Sequence, residues 1–282
     1  MRSRALRHLA VGAVLVASAA LGTSAGAQPV LLQLRPRIGD TLRMHMSQTV
    51  EMTGTMPGTH GDSTRSMTTT IEVFTRAIAR QWTSGGTLMQ AITDSVAMTP
   101  SSPGSLADLK RQAGQSKSVV LRVSPDGAVE MVEDGDPHSE LRRIFGGMPA
   151  TLSRRAVAIG EKWTREMQIP LTGQPGAMGT VRATFQLDSL GTNGDMAYIS
   201  MKGSMSRVNL PGVPGPGAGY ETSGTLSGTM QIDRRLGWIT ESRTTINVRS
   251  TVSSPPDRGR KAGAPMLVRT RITQWIRAMR AR

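Results

Sequence analysis

The chain has 282 residues, no cysteine, 3% aromatic residues and a formal net charge of +14. Without cysteine it has no thiol nucleophile, thiolate metal site or disulfide, so its stability rests on packing. A core short of rings must draw on Val, Ile, Leu, Ala and the 18 methionines, while the excess of arginine suits anionic lipid, acidic polysaccharide or nucleic acid as a partner.

Arg2, Arg4 and Arg7 form a positive n-region, residues 9–21 an apolar alanine-rich run, and Ala25-Gly26-Ala27 a small-x-small cleavage site. This pattern predicts a signal peptide over residues 1–27, removed to leave Gln28 as the mature N-terminus in a periplasm or outside the cell. An anchor helix fits less well, because Gly22 breaks the run before about 18 apolar residues accumulate. No cysteine follows the site for lipid attachment, so no integral membrane or lipoprotein anchor is expected. Three of the positive charges lie in this segment. Most of the remainder are scattered, as on solvated strand faces, and only the last stretch, 269–282, concentrates arginine.

From residue 41 the pattern alternates. Leu42, Met44, Met46, Val50 and Met52 fall on one face, with Arg43, His45, Ser47, Thr49 and Glu51 on the other. Period two over this length predicts a half-buried strand. A glycine-rich loop over 54–65 leads to a Thr-rich strand over 67–79, and Ser84-Gly85-Gly86 turns the chain into a third strand through Leu88, Ile92, Val96 and Met98. Ser105 and Asp108 predict a short capped helix to about Gln112. Ser124-Pro125-Asp126-Gly127 between two valine-rich runs is the clearest hairpin, since Pro presets the first turn residue and Gly accepts a positive φ. Asp136-Pro137 starts a further predicted helix with Leu141, Ile144 and Phe145 as its stripe, and a second runs from Pro149 towards Arg155.

The pattern then restarts. Gly160-Glu161 leads into a strand from Trp163, as Gly39-Asp40 leads into the first strand. Alternating segments follow around Val181–Leu187, Ala197–Met201, 225–233, 238–248 and 268–272, separated by polar or Pro/Gly-rich loops. Turn glycines keep their order between the halves: Gly39 with Gly160, Gly85 with Gly194, Gly127 with Gly237. The signal is topological, because side-chain identity between the halves is poor.

Chemistry is sparse. His45, His60 and His138 are the histidines beyond the signal, and no G-x-S-x-G pentapeptide accompanies them. Asp134, Asp136 and His138 alternate, but Asp136 is better explained as a helix cap, and metal-site spacings are missing. The Gly-Pro run at 211–219 lacks the Lys and the helix of a phosphate loop. Nine aromatics without basic residues grouped around them argue against nucleic acid. Dispersed carboxylates leave a hydrolase as a minor alternative. No catalytic residue, cofactor or metal is therefore expected, and the protein reads as a non-enzyme. Met44, Met46, Val50 and Met52 are candidate linings of an apolar site, because methionine suits surfaces that accept varied apolar ligands; the competing reading is that they fill core. Trp163, Trp238 and Trp275 divide likewise between core and cavity rim.

Gly39-Asp40, the Thr-rich strand over 68–73, Ser124 to Gly127, the helix over 136–145 and Gly160 to Trp163 together resemble a family of uncharacterised exported bacterial proteins. That resemblance implies a β-rich periplasmic domain and no assigned activity. More loosely, the pattern is similar to the half-barrel lipoprotein carriers of the periplasm, an analogy of fold alone.

The expected fold is mainly β with some α: a strongly curved antiparallel sheet or half-barrel of about 10–11 strands, its concave face covered by short helices between residues 136 and 155. Residues 28–282 form one domain, as pseudo-repeat 1 (about 30–132), a helical connector (133–156) and pseudo-repeat 2 (about 157–282). Gly39, Asp40, Gly160, Glu161 and Trp163 are its structural motif. The expected function is binding of an apolar or amphiphilic ligand in a Met-lined concavity. The alternative is a structural or interaction module of the cell envelope, contacting an anionic component through exposed strand edges and the basic C-terminal strand.

Overall fold

The structure is a computed structural model that describes residues 28–56, 63–100, 118–134, 149–170, 178–209, 219–253 and 265–280. The signal segment, the helices expected over 105–112 and 136–145, and His60, Asp136 and His138 lie outside the described residues.

Every described element is a strand: β1 (Thr41–Met56), β2 (Ser63–Thr83), β3 (Gly86–Pro100), β4 (Ser118–Val123), β5 (Val129–Asp134), β6 (Lys162–Pro170), β7 (Met178–Leu190), β8 (Met196–Asn209), β9 (Gly219–Asp233), β10 (Trp238–Ser253) and β11 (Met266–Arg280). They form one antiparallel sheet in the order β5-β4-β3-β2-β1-β11-β10-β9-β8-β7-β6. Two meanders thus run outward from a central seam, where the first strand pairs with the last.

The described chain is all β, which corrects the expected α component. Residues 149–155, expected as helix, are an irregular strap. Their amides bond to another segment instead of their own turn: Thr151 N and Leu152 N both donate to Asp126 O, at 3.0 and 2.9 Å. A second correction concerns the C-terminal strand. It is flanked by β1 and β10 along its length, so it is central and offers no free edge. The strands also run several residues beyond their expected ends, because Thr and Arg on the solvated face extend an alternation that apolar counting alone cuts short.

The sheet is rolled. Along a flat sheet, β4 and β6 would lie about 40 Å apart, nine strand spacings. Yet Asp126, in the turn after β4, lies 3.8 Å from Arg165 of β6. Consecutive residues of the N-terminal strap make the same point, since Leu34 N donates to Pro125 O in the β4–β5 turn (2.9 Å) and Arg35 N to Gly237 O in the β9–β10 turn (2.8 Å). Two hairpin tips from distant parts of the sheet therefore meet on either side of one extended segment.

Glycines on the inner face let neighbouring strands close up. An ideal Cβ at Gly228 would sit 2.2 Å from Arg243 O, and one at Gly224 would sit 2.7 Å from Asn247 O. Only a residue without a side chain lets β10 approach β9 so closely. The cross-strand Met201 and Met205 fill the space above them, with Cε 3.0 and 3.2 Å from those Cβ positions.

The core is densest at one end of the roll and continues along the inner face through Met201, Met205 and Leu226. Leu32, Leu34 and Pro36 of the strap alternate inward, with Leu152 and Val157 of the second strap beside them. They pack with Leu42, Ala77, Met89 and Val123 from one half of the sheet, and with Trp163, Phe185, Leu187, Ile199 and Ile232 from the other. Each fully buried large side chain contributes about 1.5–3 kcal/mol. Tryptophans pin both straps: Trp82 Nε1 donates to Pro36 O (3.1 Å) and Trp163 Nε1 to Thr151 O (2.8 Å). Trp163 also stacks on Phe185, with centroids 5.8 Å apart.

The two strand starts share one hydrogen-bond pattern. Gly39 N donates to Ala79 O and Ala79 N to Asp40 O; Gly160 N donates to Leu187 O and Leu187 N to Glu161 O. Both glycines are left-handed, with φ of 87° and 84°. Glu161 additionally accepts from Ala158 N (2.9 Å) and pairs with Arg155.

Candidate functional site

Away from the filled end, register decides which side chains share a face. Met44, Met46, Val50 and Met52 all project to the inner face of β1, half-buried, and Met44 packs on the core. Opposite them on β11 stand Ala278, Ile276, Ile272 and Thr270, and on β2 stand Thr75, Val73, Thr69 and Met67. β10 continues the face with Ile246 and Val248. The expected methionine face therefore belongs to a continuous apolar floor spanning several strands. Further along this face Thr222, Ser250 and Thr270 are buried, while Met46, Val50, Met52, Ile246 and Ile272 are half-buried. The described strap closes the end of the roll instead of lying across this floor.

One polar row crosses the floor. Gln274 Nε2 donates to Gln48 Oε1 (3.3 Å) and approaches Met46 Sδ (3.4 Å), with Thr244 next in register. A mostly apolar surface with a few convergent polar groups is the usual make-up of a small-molecule site.

Among the described residues two clusters stand out on the outer face. In the first, the His45 ring lies flat on Phe74 (centroids 4.3 Å apart) and edge-on to Trp275 (5.6 Å). Glu72 accepts from both His45 Nε2 and the Ser47 hydroxyl, the latter at 2.7 Å. Hydrogen bonds from Ser47 and then His45 outweigh desolvation and hold the Glu72 carboxyl below its ordinary pKa. The arrangement does not activate a nucleophile, because Ser47 and His45 both donate to one carboxylate and neither takes a proton from the other. Trp275 thus stands on the outer surface, with its Nε1 donating to Glu241 at 3.2 Å, whereas Trp163 and Trp238 are buried. The second outer cluster is a depression of about 610 Å³ over β9, β10 and β11, walled by Arg249, Arg269 and Arg271.

Among the described residues no group of three His, Asp or Glu is placed to hold a metal ion, and no helix is long and apolar enough to cross a membrane. Neither outer cluster is legible in the sequence. His45, Ser47 and Glu72 lie on adjacent strands, as do Arg249 and Arg269, and only the register brings them together.

A family of unknown function, DUF6263, matches residues 137–239. Gly160 to Trp163 fall within that match; Gly39-Asp40 and Ser124 to Gly127 fall outside it. No curated protein matches the chain. Among solved structures, the chain is similar to one described as lipid-protein interactions in lipovitellin, with TM-score 0.45 and 11% identity over 87% of this chain. It spans about a quarter of that chain's length (26%). It is also similar to the COG4313 outer membrane channel from Pseudomonas putida F1, with TM-score 0.23 and 11% identity, covering 86% of this chain and 96% of that one.

Proposed function

We propose that this is an exported, non-catalytic protein that binds one apolar or amphiphilic molecule against the inner face of the rolled sheet. The observation that carries the reading is the half-burial of Met46, Val50, Met52, Ile246 and Ile272. An apolar floor that continues directly from a filled core, yet remains part-exposed among the described residues, is stabilised by an apolar occupant. Methionine adapts to varied chain shapes, and the Gln48–Gln274 row supplies hydrogen-bonding groups for a polar head. The signal pattern at the N-terminus supports export.

The test is native mass spectrometry of full-length protein secreted by a bacterial host, followed by titration with a fluorescent fatty acid. Co-purifying amphiphile and saturable uptake are expected. Met46→Glu/Val50→Glu places charge on the floor and should weaken uptake at least about tenfold, some 1.4 kcal/mol. Clean protein without saturable uptake, or uptake unchanged in the variant, rejects the reading.

A further inference from the structure

The depression over β9–β11 contains an arrangement that folding alone does not favour. Arg249 of β10 and Arg269 of β11 stand directly opposite each other across the antiparallel pair, with Arg271 one row away opposite Asn247. Side chains in such a pair have Cβ atoms about 4.5–5.5 Å apart, and like charges there oppose the pairing. Both arginines are exposed, and neither makes an ion pair among the described residues. Among the described residues the acid lining the depression is Glu51, whose carboxylate lies 3.9 Å from Arg271 and pairs with neither of the other two. Thr225 adds a hydroxyl beside them. Guanidinium groups are planar forks that match tetrahedral oxyanions, and two converging from adjacent strands hold such a group from two sides.

We propose that this depression is an oxyanion site for a phosphate group, with Arg249 and Arg269 as the paired donors and Arg271 as an outer contact. It lies on the face opposite the apolar floor and does not depend on the reading of that floor. The phosphate comes either from a lipid head group in a membrane surface or from a soluble phosphate ester; the same donors serve both.

The experiment uses the full chain as exported and two double variants of equal charge loss. Arg249→Gln/Arg269→Gln removes the opposed pair, while Arg43→Gln/Arg182→Gln removes exposed arginines elsewhere on the sheet. Inorganic phosphate is expected to raise the thermal midpoint of the natural protein beyond chloride at matched ionic strength. The pair variant should lose that response and the control variant keep it. In phosphate-free buffer the pair variant should melt no lower than the natural protein, since a like-charge contact has been removed. Vesicles of phosphatidylglycerol in phosphatidylcholine then locate the source. Sedimentation lost at least tenfold in the pair variant alone assigns a lipid head group; a phosphate response without vesicle binding assigns a soluble ester. Equal losses in both variants mean a diffuse basic surface and overturn the proposal, as does the absence of any response specific to phosphate.

Discussion

Asp126 sits in a four-residue turn, yet its oxygens reach the second strap and approach β6. Its carbonyl accepts from Thr151 and Leu152, and its carboxylate accepts from Ser124 Oγ (2.5 Å) and Arg154 Nε (2.9 Å). Desolvation raises its pKa, but the bonds from Ser124, Arg154 and the Ala128 amide prevail and hold it below the ordinary value. A depressed carboxyl stabilises the fold fully above the unfolded value near 4, and this contribution is lost as pH falls through the folded value. Asp126→Asn should therefore cost about 1–3 kcal/mol at neutral pH and flatten the acid limb of stability, read by urea unfolding across the pH range; an unchanged acid limb refutes the role. Glycines give a matched comparison. Gly39 and Gly237 are both left-handed, at φ 87° and 66°. A Cβ at Gly39 meets nothing, whereas one at Gly237 would lie 2.4 Å from Arg35 O. Gly39→Ala should cost only the backbone term, about 1–2 kcal/mol. Gly237→Ala should cost more and loosen the strap, seen as faster amide exchange at Arg35, whose amide bonds to Gly237 O; equal costs contradict this account.

At the scale of elements, the C-terminal strand is the clearest reversal. Its arginines and terminal position suggest an exposed edge, but both of its edges are paired, with β1 and β10. Removing residues 269–282 should abolish the sheet, with loss of the β signal in circular dichroism and of cooperative unfolding. A soluble, folded truncation would contradict the seam. The true edges, β5 and β6, are short and carry Glu130, Lys162 and Glu166, a charge pattern that discourages edge-to-edge pairing.

Over the whole molecule, the close strand packing and the dense core meet on the inner face of the roll. Gly224 and Gly228 let β10 close on β9, and the straps bridge hairpin tips that the roll brings together. Burial is densest where the straps enter, and the long strands extend past it with an inner face on which Met46, Val50, Met52, Ile246 and Ile272 stay half-buried. The proposed ligand site and the proposed oxyanion site occupy opposite faces of the same central strands, so each can be perturbed without touching the other.

The alternation of Leu42, Met44, Met46, Val50 and Met52 was legible in the sequence because side chains in a strand alternate with period two whatever the strand pairs with. The turns at Gly127, Gly160, Gly194 and Gly237 were legible because a left-handed backbone favours glycine. The strap over 149–155 was not, since its amides are satisfied by Asp126, a partner distant in sequence, and local propensity has no knowledge of that partner. Nor was the opposition of Arg249 to Arg269, because register between strands is set by the packing of whole faces. The sequence by itself determined which residues share a face. Which face encloses the core, which strand is central, and which charges meet were decided only by the rolled sheet, since those depend on contacts between residues far apart along the chain.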